Sequence, residues 1–70
     1  MKTYKFITTI TYKQFFSDKV QDVCDYFEAE TLDEARELYE AKKRRAIIFD
    51  IPSSERKNII FALKDVSILS

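Results

Sequence analysis

The sequence contains no histidine and no glycine, and it has a single cysteine and a single proline. Without histidine the chain lacks the commonest general base and the commonest metal ligand. Without glycine it has neither the glycine-rich loop that binds phosphates nor the nucleophile elbow of hydrolases. We therefore predict no catalytic residue, no metal site and no cofactor, and we expect that the protein is not an enzyme.

The single cysteine, Cys24, excludes an intramolecular disulfide and a paired-cysteine zinc or redox site. An unpaired thiol is typical of a reducing compartment, so a cytoplasmic location is expected. Lys5 and Lys13 interrupt the apolar residues near the N-terminus, so no signal peptide is expected. No run approaches the roughly 20 apolar residues of a membrane span, so no membrane association is expected.

The length of 70 residues predicts one domain, 1–70. At this mass the folded surface is about 4,600 Å² and the extended chain exposes about 12,000 Å². Burial of the apolar part of the difference between these surfaces stabilises the folded state by about 110 kcal/mol. The loss of conformational entropy on ordering the chain costs about 105 kcal/mol. Because these terms nearly cancel, a lone monomer is marginal, and a homo-oligomer, most simply a dimer, is expected.

The net charge of zero hides a strong segregation along the chain. Residues 1–20 carry +3, residues 21–41 carry −7 and residues 42–70 carry +4. A molecule with separate acidic and basic regions favours oriented docking with a charged partner or with a second copy of itself.

A helix is predicted to begin at Leu32. Thr31 is a good N-cap, and Glu34 follows three residues later, as in a capping box. The basic run Lys42–Arg45 is interpreted as complementing the negative end of the helix dipole. This pattern predicts an amphipathic helix of about three turns.

The other elements are predicted as strands. Residues 3–13 alternate between two faces, and residues 46–51 form a short apolar run before Pro52. Residues 18–28 and 53–66 are also interpreted as strands, although each fits a helical spacing as well. The predicted fold class is therefore α+β, with a small antiparallel sheet of about four strands in the order β-β-α-β-β and the helix packed on one face.

One helix leaves the second face of such a sheet only partly covered. Exposed apolar patches usually mark a contact with a partner. The residues predicted to contribute to this patch are Ile7 with some of Phe15, Phe16, Phe49, Phe61 and Ile68.

Two groups of residues are predicted to contact a protein partner. The first is an acidic helix face of Asp33, Glu37 and Glu40, for which a merely solvated face is the alternative interpretation. The second is aromatic, since aromatic side chains are enriched at interfaces, and it consists of Tyr12, Phe15 and Phe16.

The basic run Lys42, Lys43, Arg44 and Arg45 suggests an alternative, because adjacent cations bind phosphates. The sequence pI near 6.2 is low for a nucleic-acid-binding domain. The sequence thus favours a non-enzymatic protein-binding module of the accessory or inhibitor type, acting as a homodimer with a protein partner that the sequence does not specify. A small nucleic-acid-binding regulator is the second hypothesis, and a purely structural self-assembling subunit is the third.

Overall fold

A computed structural model describes residues 1–14 and 16–69. The chain forms a three-stranded antiparallel sheet with the first strand in the centre, in the order β2-β1-β3. One long helix follows the second strand, and a 3-10 turn precedes the third. The bounds are β1 Lys2–Lys13, β2 Asp18–Ala29, α1 Leu32–Phe49, a 3-10 turn at Arg56–Asn58 and β3 Ile59–Ile68.

The predicted α+β class is confirmed, but the prediction of about four strands in the order β-β-α-β-β is wrong in detail, because the described residues form three. Residues 46–51 are not a strand: α1 continues through Phe49, so it has 18 residues, or about five turns, instead of three. A short apolar run cannot be assigned to strand or helix from periodicity alone. Since each residue added to an existing helix gains one hydrogen bond, elongation from the predicted helix prevails.

The preference for a strand over 18–28 is confirmed. In 53–66 the strand begins only at Ile59, after the loop and the 3-10 turn. Val66 and Ile68 belong to the same strand, β3. A β-bulge makes this possible: the register with β1 shifts between Ile7 and Thr8, and Lys64 is the extra residue on β3. This bulge keeps Leu63 and Val66 on one face although two polar residues separate them.

The core lies between α1 and the sheet. Tyr4 and Phe6 of β1 are buried there. The ring of Tyr39 stacks on Phe6 at a centroid distance of 4.8 Å, and Phe27 meets Phe6 edge-on at 5.6 Å. The described residues bury few other apolar side chains, namely Ala29 and Ala35.

The N-terminus of α1 is capped as predicted. The Thr31 hydroxyl accepts a hydrogen bond from the Glu34 amide at 3.3 Å. The Glu34 carboxylate accepts one from the Glu30 amide at 3.2 Å. Two amides at the start of the helix therefore have side-chain partners.

The C-terminus of α1 differs from the prediction. Because the helix extends to Phe49, the basic run lies in its interior, and its last turn contains no basic residue. Instead Arg56 reaches back and donates to the carbonyl oxygens of Ile47 and Ile48, both at 3.0 Å. The helix dipole is thus complemented by a cation from the following segment.

The molecule is flat and elongated, with extents of 44 × 21 × 14 Å. Its radius of gyration is 13.6 Å, against about 11 Å for a compact chain of this length. Its accessible surface of 5228 Å² exceeds by roughly 600 Å² the value expected for a compact protein of this mass. One copy therefore leaves more surface in water than a compact fold does.

Candidate protein-interaction surfaces

An apolar feature that the helix leaves partly uncovered lies on β3. The register with β1 places alternate β3 residues on the side of the sheet that carries α1. The helix lies over β2 and, to a lesser extent, β1. Leu63 is therefore 41% exposed and Ile68 60% exposed, while Val66 packs against the core. We call this set the β3 stripe: Ile59, Phe61, Leu63, Val66 and Ile68.

Two adjoining grooves run between α1 and the sheet beside this stripe. Their volumes are about 170 and 390 Å³, and both are lined by Ile10, Ala46 and Phe61. The lining is mostly apolar, with Tyr12 and Ile59 at the far end. The grooves and the β3 stripe thus form one continuous apolar surface on the helix side.

The opposite side of the sheet, which we call the open face, is mixed: polar side chains predominate, but Val20, Tyr26 and Ile60 are also exposed there. Lys64 on β3 and Thr9 on β1 both donate to the carboxylate of Asp22 on β2, at 2.7 and 2.9 Å. The hydrogen bond from Lys64, with a smaller contribution from Thr9, lowers the pKa of Asp22, and the same bond raises the pKa of Lys64. These contacts tie the three strands together across the open face.

The predicted apolar patch on the open face is therefore wrong in most of its members. Ile7 does lie there and is half-buried. Phe61 and Ile68 lie on the helix side instead, because the register pairs them with Ile10 and Tyr4. Two more members lie outside the sheet: Phe49, the last residue of the helix, is 78% exposed, and Phe16, between β1 and β2, is 92% exposed. Phe15 falls outside the described residues.

The predicted contact residues do not lie on one surface. Asp33, Glu37 and Glu40 are exposed along α1, on the side away from the sheet. Glu40 forms an ion pair with Lys43 of the same helix at 3.1 Å. Tyr12 is half-buried near the far end of β1, where it lines the second groove. The acidic and aromatic sets are thus separate surfaces.

The basic run does not form a single patch. Lys42 forms an ion pair with Asp25 and lies 5.8 Å from the centre of the Phe27 ring. Lys43 pairs with a carboxylate of its own helix. Arg44 and Arg45 have no carboxylate partner among the described residues. Successive helical residues point about 100° apart, so the four cations diverge.

Cys24 is exposed on β2, opposite Ile7 on the open face. Across 1–14 and 16–69, no three histidine, cysteine or acidic side chains are grouped as metal ligands. Over the same ranges, no helix combines the length and the apolar character needed to cross a membrane.

Comparisons of this chain with family models, with curated proteins and with solved structures give no match. The sequence interpretation missed the β3 stripe, although a signal was present. Apolar residues alternate from Ile59 to Leu63, and the alternation resumes at Val66 after two polar residues, which is the pattern of a bulged strand with one apolar face.

Proposed function

We propose that this protein is a non-enzymatic protein-binding module and that it acts as a homodimer. The observation that carries the proposal is the mismatch between core and surface. Two large side chains, Tyr4 and Phe6, are fully buried, whereas the surface of 5228 Å² exceeds that of a compact protein of this mass. Such a chain gains stability by burying further apolar surface against another chain.

The surface offered to a different protein is the acidic side of α1. Asp33 and Glu37 are exposed and form no ion pair within the described part of the chain. They lie in the first half of the helix, on the side opposite to the core. A basic surface on the partner complements these carboxylates and orients the encounter.

Sedimentation equilibrium over a wide range of protein concentration tests the homodimer. A reversible monomer–dimer equilibrium supports the proposal. A monomer at every concentration contradicts it, and an open-ended polymer supports the structural self-assembly hypothesis instead.

Cross-linking in native cells tests the acidic surface. The wild type is compared with the double variant Asp33→Lys and Glu37→Lys. The matched control, Asp18→Lys with Glu55→Lys, makes the same charge change at two other exposed positions. A protein captured by the wild type and the control but lost with the first variant supports the proposed surface, whereas capture by all three contradicts it.

Nucleic-acid binding remains the alternative proposal. In this alternative the phosphates are bound by Arg44 and Arg45, because these two cations of the basic run have no carboxylate partner among the described residues. Heparin chromatography and a salt titration separate the two functions. Binding through several phosphates falls steeply with rising salt. Retention that is lost on reversing these two charges supports the alternative, and passage without retention supports the protein-binding module.

A further inference from the structure

We infer that the β3 stripe is the homodimer interface and that its occupant is the same stripe of a second copy, packed face to face. This inference rests on the homodimer proposed above, and it adds which surface makes it. The supporting observations are the surface area, the position of the helix over the sheet, and the character of the two sheet edges.

The whole molecule exposes more surface than a compact fold of its mass, and a dimer interface would bury part of it. One copy exposes roughly 600 Å² more than a compact protein of its mass, and a standard interface buries about 800 Å² on each partner. The β3 stripe adjoins the two grooves through Ile59 and Phe61, which line them, and its five side chains are uncharged. Two copies of an uncharged stripe can meet about a two-fold axis without bringing like charges together.

The helix leaves room for a second sheet. It packs mainly on β2 and less on β1, so β3, on which Leu63 and Ile68 are exposed, is the strand that the helix covers least on this side. Two sheets pack about 10 Å apart, so a second sheet occupies the same kind of layer over β3. In this arrangement the helix of each copy flanks the sheet of the other.

The edges of the sheet disfavour pairing between strands of two copies. The edge strand β3 is interrupted by the bulge at Lys64, and both a bulge and a lysine are devices that protect an edge. The other edge strand, β2, is acidic, and an antiparallel pair of two such strands brings carboxylates close together. The carboxylates are those of Asp18, Asp22, Asp25 and Glu28. The uncharged face of β3 is therefore a more favourable contact between two copies than either edge.

A matched pair of variants tests the interface. Leu63 and Ile60 are on the same strand with similar exposure, 41% and 45%, but on opposite faces. Leu63→Glu places a charge in the proposed interface, and we expect it to raise the dimer dissociation constant by roughly 100-fold or more. Ile60→Glu changes only the open face, and we expect the constant to stay within a few-fold of the wild type.

Disulfide trapping keeps the inference testable if Leu63→Glu does not fold. In a Cys24→Ser background, Leu63→Cys lies near the middle of the stripe and thus near the two-fold axis. We expect mild oxidation to cross-link it as a dimer, whereas Ile60→Cys stays uncross-linked.

The possible results separate this inference from the proposed function. A wild-type dimer that persists in Leu63→Glu, or that cross-links through Ile60→Cys but not Leu63→Cys, overturns the assignment of the interface and leaves the homodimer intact. A wild type that is monomeric at every concentration overturns both. Loss of the dimer in Leu63→Glu alone supports both.

Discussion

The hydroxyl of Tyr39 lies 2.8 Å from the hydroxyl of Thr8, and both residues are buried. This hydrogen bond joins the middle of α1 to the central strand of the sheet. The Tyr39 ring also stacks on Phe6, next to Thr8 on the same side of the strand. The rotation of the helix over the sheet is therefore fixed by one aromatic contact and one polar contact from the same side chain.

Tyr39→Phe tests the polar contact. The substitution keeps the ring but leaves the Thr8 hydroxyl buried without its partner, so we expect a loss of about 1–3 kcal/mol in the free energy of unfolding. Urea unfolding at a fixed protein concentration measures it, because the proposed dimerisation would link stability to concentration.

Two controls identify the cause of that loss. Adding Thr8→Val to Tyr39→Phe removes both polar groups, and we expect it to recover most of the stability. Tyr26→Phe changes an exposed tyrosine on the open face, 58% exposed, and we expect little effect. A double variant no more stable than Tyr39→Phe contradicts the proposed pairing.

Arg56→Met tests the cap at the end of the helix. The guanidinium donates to the carbonyl oxygens of Ile47 and Ile48, so we expect its removal to cost about 1 kcal/mol and to speed amide exchange in the last helical turn. Arg56→Lys is not expected to restore the wild type, since an ammonium group lacks the planar fork that reaches two carbonyls. The adjacent Lys57→Met is the control, and an equal loss there contradicts the assignment.

The elements that the sequence predicted correctly are those specified by nearby residues. Thr31 and Glu34 are three positions apart, and their capping contacts identify the start of α1 without reference to the rest of the fold. The strand over 3–13 was likewise indicated by its alternation, and its two faces match the register. The information for both features lies within a few neighbouring residues.

The features that were not predicted depend on distant residues. The end of α1 is stabilised by Arg56, nine positions after Ile47, in the range 53–66, which the sequence pattern favoured as a strand. The face to which Phe61 belongs depends on its register with Ile10 on β1. Whether that face is covered depends on where the helix lies over the sheet. None of these relations is contained in a local pattern.

The ion pair between Asp22 and Lys64 is expected to make the free energy of unfolding depend on pH at both the acid and the alkaline extreme. The pKa of Asp22 is lowered by the hydrogen bonds from Lys64 and Thr9, so its contribution to stability is present above the ordinary carboxyl range and is lost as the pH falls through the lowered value. The raised pKa of Lys64 gives the opposite sign: the contribution is present below the usual lysine range and is lost as the pH rises through the raised value.

NMR titration of the Asp22 carboxyl carbon measures the acid side of this prediction. We expect Lys64→Met to move the pKa of Asp22 upward, because the largest cause of the lowering is removed. Lys13→Met removes another β-strand lysine that forms no ion pair within the described residues, and we expect no movement. Equal movement in both variants indicates a general effect of net charge instead of the specific hydrogen bond.

Charge reversal within the basic run is expected to have unequal effects on stability. Lys42→Glu removes the ion pair with Asp25 and the cation near Phe27, and it places two carboxylates together, so we expect a loss of about 1 kcal/mol. Arg44→Glu makes the same charge change on the same helix at a position without a carboxylate partner among the described residues. Its effect is expected to stay within about 0.5 kcal/mol. Urea unfolding of both variants at one protein concentration checks the difference, and equal losses would mean that Lys42 is merely one solvated charge among four.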